Sequence, residues 1–107
     1  MIMAIILLGE SLCQQWPEEH EFYFKTAYCL HELKRTQEAK VTLESAPPSI
    51  REHSLYQYNL ACYETQLGHL EVAKSLLREC FIQDPHYRQK SLDDPDLEPL
   101  WEALAKI

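Results

Sequence analysis

The chain has 107 residues, 46% of them hydrophobic, and a formal net charge of −7. That length suits one small domain with a modest core, and the apolar content excludes disorder as a whole-chain description. Residues 93–102 (DDPDLEPLWE) hold five acids and no base; this acidity excludes a nucleic-acid backbone or an anionic membrane surface as partner, because both need a basic stripe.

The opening run, MIMAIILLGESLC, is apolar. It has no basic stretch ahead of its apolar core, Glu10 interrupts it, and no small-x-small cleavage site follows, so it reads as a buried amphipathic helix rather than a targeting segment. It is also too short to span a bilayer. Next, Phe24, Ala27, Tyr28 and Leu30 recur at helical spacing, and beyond Lys34-Arg35-Thr36 a second stripe follows with Ala39, Leu43 and Ala46. Thr36 is the expected N-cap of that second helix. Pro47-Pro48 stops it, and Ser49-x-x-Glu52 has the form of a capping box that starts the next helix. There Leu55, Tyr58, Ala61 and Cys62 share a face. Gly68 breaks the pattern, and Leu70, Ala73, Leu77 and Cys80 begin another stripe. After Asp84-Pro85, residues 86–92 suggest a short helix. Asp94-Pro95 forms an N-cap and N1 pair, and Leu97, Leu100, Trp101 and Leu104 predict a closing helix with its acids turned to water.

The chain repeats itself. Segments 21–46 and 55–80 align without a gap at an offset of 34 residues. That offset puts Ala27 on Ala61, Leu33 on Leu67, Ala39 on Ala73, Leu43 on Leu77 and Ala46 on Cys80. Two antiparallel helices joined by a tight turn approach closely only where small side chains meet, and Ala61 and Ala73 supply that contact. Gly68 lies between them, where a helix must end and a left-handed residue is cheap.

The period and these small positions resemble the tetratricopeptide repeat, a 34-residue helix–turn–helix unit. The family's small–Gly–small–small–Pro signature falls on Ala61, Gly68, Ala73, Cys80 and Pro85. In the first unit Ala27, Ala39 and Ala46 match, whereas Lys34 replaces the glycine and Arg51 the proline. The family's tryptophan is absent from both units, with Tyr23 and Gln57 in its place. The resemblance implies an all-α fold: a right-handed α-solenoid of antiparallel helix hairpins with a C-terminal capping helix. One domain would run over 1–107, with a partial repeat at 1–17, repeats at 20–53 and 54–87, and a capping segment at 88–107.

In this family the first helix of each repeat lines a concave groove. Carried over by position, that face is Glu21, Phe24, Tyr28, His31 and Glu32 in the first repeat, and Leu55, Tyr58, Cys62, Thr65 and Gln66 in the second. Asn59 stands beside the second set, where its amide could bond a peptide backbone. Phe22, Tyr23 and Phe24 are consecutive and cannot all face the groove. The expected accessible aromatic patch is Phe24, Tyr28 and Tyr58, residue types enriched at binding hot spots. Family members that grip acidic tails use Lys, Arg and Asn on this face. Phe24 and Tyr28 stand where the first repeat would need a base and an asparagine, so the expected ligand is an apolar, aromatic or basic protein segment.

Catalysis has little to stand on: the sequence has no G-x-S-x-G, no H-E-x-x-H and no glycine-rich phosphate loop. Cys13, Cys29, Cys62 and Cys80 form no C-x-x-C, and Cys29-x-His31 points to different sides of a helix. The reading is free thiols in the cytoplasm, with no metal and no cofactor. The leading function is a scaffold or adaptor that binds a protein segment. The alternatives are a self-associating structural module, a homo-oligomer formed through the apolar N-terminal helix, or a secretion-type chaperone for an apolar client.

Overall fold

The computed structural model describes residues 20–106, with side chains from residue 22 onward. The partial repeat at 1–17, its apolar helix, Cys13 and the side chain of Glu21 lie outside the described residues. Among the described residues the fold is all-helical. The helices are α1 (His20–Glu32), α2 (Thr36–Glu44), α3 (Pro48–Arg51), α4 (Ser54–Gln66), α5 (Leu70–Gln83), α6 (His86–Leu92) and α7 (Trp101–Leu104), with a 3-10 helix at Pro95–Leu100 between the last two. None of them is long and apolar enough to cross a membrane. The chain divides into two compact units between Glu52 and His53, next to the boundary expected between the repeats.

In the first unit α1 packs along α2. Ala27 and Ala39 are fully buried, as are Leu30 and Leu43. In the second unit α4 packs along α5, with Ala61, Ala73, Leu77 and Cys80 fully buried. Each buried leucine contributes about 1.5–3 kcal/mol by leaving water. Within each unit the alanines allow the close helix approach that buries its own leucines.

The two hairpin turns are built alike, bond for bond. In the first, the Arg35 N–H donates to the Leu30 carbonyl (2.9 Å) and the Lys34 N–H to His31 (2.9 Å). In the second, the His69 N–H donates to Glu64 (2.8 Å) and the Gly68 N–H to Thr65 (3.0 Å). Paired bonds of this type form a Schellman motif, which satisfies the carbonyls at a helix end and needs one left-handed residue. That residue is Gly68 (φ 86°) in one turn and Lys34 (φ 63°) in the other. Lys34 therefore takes the conformation of the glycine it replaces.

Three local expectations are corrected. Thr36 is the first residue of α2, behind Arg35, and its hydroxyl shares a 3.0 Å hydrogen bond with His31 Nδ1 instead of capping. Ser49 lies inside α3, because Pro48, with φ preset for a helix, takes the first helical position and starts that turn two residues earlier than a Ser49 cap would. Helix α4 begins at Ser54 without a side-chain cap, so the capping box does not form.

The closing helix is a 3-10 helix followed by a single α-turn. Pro99 sits inside it, with no N–H to donate and a ring that clashes with the preceding turn of an α-helix. The apolar stripe survives this change: Leu97, Leu100 and Leu104 are buried, and Trp101 Nε1 donates to the Ser91 carbonyl at 3.0 Å. The Asp94-Pro95 cap forms as expected, with the Asp96 N–H donating to Asp94 Oδ1 at 3.0 Å.

Candidate functional site

The predicted face of α1 is open at its centre. Tyr28 is 59% exposed, Glu32 is exposed and His31 is half-buried. Phe24 is buried and joins the first unit's core. The ring of Tyr28 thus offers apolar area with a polar tip, flanked by exposed Lys25 and Glu32.

The predicted face of α4 is covered. Tyr58 is 2% exposed, and Cys62 and Thr65 are buried; Leu55 and Asn59 are half-buried, and Gln66 is exposed. Of the expected aromatic patch, Phe24, Tyr28 and Tyr58, only Tyr28 is accessible. The cover comes from the same chain. The 3-10 helix packs on α4, and the Tyr58 hydroxyl donates to Asp94 Oδ2 at 2.7 Å. The Cys62 thiol reaches that oxygen at 3.9 Å. Gln66 Nε2 donates to the Asp96 carbonyl at 2.9 Å, a carbonyl that Pro99, three residues on, cannot serve. Thr65 turns its hydroxyl back to the Ala61 carbonyl (2.8 Å).

Helix α6 adds to the cover. The Tyr87 ring centre lies 5.0 Å from that of Tyr58, and Lys90 Nζ stands 5.1 Å from Tyr58 and 5.5 Å from Tyr87. A cation above two ring faces is attracted by their quadrupoles. One carboxylate, Asp94, joins the 3-10 helix to α4: Oδ1 accepts from the Asp96 N–H and Oδ2 from Tyr58. This corrects the expectation that the closing acids face water: Asp94 and Asp96 are half-buried, while Asp93, Glu98 and Glu102 are exposed.

These surroundings keep protons in place. Burial, and then the hydrogen bond to Asp94, raise the Tyr58 phenol. Burial raises the Cys62 thiol well above its ordinary value, and the charges of Asp94 and Asp96 push the same way. Cys80 is pushed up to about 11, by burial first and then by Asp84. Such thiols are protonated at neutral pH, the reverse of an activated nucleophile.

Cys62, Asp94 and Asp96 hold three ligand-type atoms within 4.8 Å of one another. The sequence showed no such group because Asp94 lies 32 residues beyond Cys62. A metal ion here would compete with Tyr58 and Cys62 for Asp94 and would face the charge of Lys90. The donors present therefore fit hydrogen bonding better than coordination. Apart from this group, an open cleft of about 480 Å³ is lined by Lys74, Arg78, Pro99, Glu102, Ala103 and Lys106. Lys74 is paired there with Glu71 at 2.7 Å.

Asp94, Asp96, Tyr87 and Lys90 were not foreseen as partners of the α4 face. One signal was present: carrying the 34-residue offset one step beyond α4 places 88–100 where a further first helix would pack. Comparison of the chain with known family models, with curated proteins and with solved structures gave no match in any of the three.

Proposed function

We propose that this chain is a small protein-interaction module of the tetratricopeptide type, a solenoid scaffold or adaptor that works in the cytoplasm and binds a segment of another protein. The observation that carries the reading is the repetition of one hairpin at an offset of 34 residues. The same Schellman bonds, the same left-handed position and the same buried small residues recur in both copies. Repeats of this kind build surfaces for partners.

Within the first hairpin, Tyr28 supports a binding role. An aromatic ring more than half exposed on a helix, beside His31 and Glu32, is the residue type that anchors interfaces. The ligand on this reading is an apolar, aromatic or basic segment. A net charge of −7 favours encounter with a basic partner, and exposed Glu32 stands beside Tyr28 to meet one.

The test uses full-length chain and its Tyr28→Ala variant as paired baits in a peptide-display selection. Tyr28 is exposed, so the variant keeps its fold, as helicity by circular dichroism would verify. Peptides retained by the native chain and lost by the variant support the reading. Recovery of the same peptides by both baits, or of none by either, refutes it.

A further inference from the structure

Three of the five residues of α4 that the family pattern assigns to ligand contact, Tyr58, Cys62 and Gln66, have partners in one segment of this chain, and the match is chemical as well as steric. Tyr58 and Cys62 present an O–H and an S–H to one point, and a carboxylate oxygen of Asp94 occupies it. Gln66 presents an N–H to a second point, filled by the backbone carbonyl of Asp96. Leu97 follows and is fully buried. A short segment that sets its carboxylate and a main-chain carbonyl on a helical face, and buries the leucine that follows, is bound as a peptide ligand would be.

The segment is also the part of the second unit with the least local structure of its own. It consists of a six-residue 3-10 helix and a four-residue α-turn. Helices that short do not hold themselves in water, so its order depends on the face it covers. The hairpin beneath it has two helices of 13 and 14 residues closed by the turn at Gly68. A chain built this way opens first where local structure is weakest.

We infer that residues 93–104 form an intramolecular ligand of the α4 face, which opens as a unit and yields that face to a partner segment of the same chemistry. The competing ligand is a protein segment with a carboxylate followed three residues later by leucine, as in Asp94 to Leu97. The inference rests on the reading that the first helices of the repeats are ligand-bearing. It gives α4 a ligand chemistry different from that of α1, and it makes this site closed in the resting chain.

Two measurements on the full chain test it. The first is native-state thiol labelling, with each cysteine resolved by peptide mass and normalised to its rate in denaturant. Cys62 lies under the segment, whereas Cys80 lies against the Ser54 carbonyl at 3.4 Å. Opening of the segment alone labels Cys62 at least about tenfold faster than Cys80. Equal rates mean that the segment leaves only on global unfolding, and they overturn the inference. The second measurement titrates a fluorescent peptide, DDPDLEPLWEAL, into the native chain and into Asp94→Ala. The variant should bind it at least about tenfold more tightly, since the internal competitor is weakened, and a peptide carrying Asp94→Ala should lose that binding. Equal affinity for both chains overturns the inference. Should Asp94→Ala fail to fold, the labelling of the native chain still decides. Neither measurement involves Tyr28, so equal labelling combined with a Tyr28-dependent partner would remove the internal ligand and leave the first hairpin's role intact.

Discussion

The two turns make a prediction of opposite sign at equivalent positions. Lys34 sits at φ 63° and Gly68 at φ 86°. A side chain in the left-handed region costs about 1–2 kcal/mol, because Cβ crowds the following carbonyl. Glycine avoids that cost but has more freedom to lose on folding, by about 0.4–1 kcal/mol. The balance favours glycine by about 0.5–1 kcal/mol in a left-handed cap. At Gly68 a built Cβ meets nothing within 4 Å, so Gly68→Ala acts through the backbone alone. Lys34 is exposed, so Lys34→Gly removes strain with little packing to lose. Lys34→Gly should therefore raise the thermal midpoint by about 2–5 °C, and Gly68→Ala should lower it by a similar amount. Helical circular dichroism at 222 nm, followed through a thermal melt, reads both. A lower midpoint for Lys34→Gly, or a higher one for Gly68→Ala, would refute the equivalence of the two turns.

Other substitutions follow from the packing and the site. Leu77→Ala should cost about 2–5 kcal/mol in urea unfolding, since the leucine is fully buried between α4 and α5; a loss below about 1 kcal/mol would contradict its place in the core. Asp94→Ala removes both the 3-10 cap and the acceptor of the Tyr58 hydroxyl, for about 1–3 kcal/mol, and should alter the tyrosine near-ultraviolet dichroism. Tyr28→Ala should change stability by less than about 0.5 kcal/mol, as exposed positions do. The fold should also weaken in alkali. The folded pKa of Cys80 (about 11) lies above its ordinary 9.0, so its contribution is complete below pH 9 and is lost as pH rises toward 11. Cys62 and Tyr58 are raised as well and act in the same direction. The urea midpoint should be level up to about pH 9 and fall from there toward pH 11, and a constant midpoint would argue against buried thiols.

Much of the helical framework was legible because one period governs it. Ala27 with Ala61, Ala39 with Ala73, and Leu43 with Leu77 are repeated in sequence and buried in both hairpins. The turn at Lys34 was harder to read, since a lysine does not announce a left-handed residue. Its place one 34-residue period before Gly68 held that information, and the repeat alignment shows only that Lys34 replaces the glycine. Helix starts were misplaced where two signals competed. Pro48 prevailed over Ser49 as the nucleus of a turn, and the Thr36 hydroxyl found His31. Pro99 had a consequence that the apolar spacing hid, because the i, i+3 pairs of an α-helix also fit a 3-10 turn. On α1 the spacing put Phe24, Tyr28 and His31 on one face but did not show that Phe24 is drawn into the core while Tyr28 stays exposed. Tyr58, Cys62 and Gln66 could be placed on a face from their spacing. What covers that face depends on Asp94 and Asp96, and pairing over some thirty residues leaves no local periodicity to read.

Binding of a protein segment by α1 through Tyr28 is the proposal on which the functional reading stands. The most direct test is amide chemical-shift mapping of the full chain during titration with a peptide from the display selection. Saturable shifts centred on Lys25 to Glu32, absent in Tyr28→Ala, are expected. Shifts that leave α1 untouched, or that persist at full strength in the variant, would contradict the proposal.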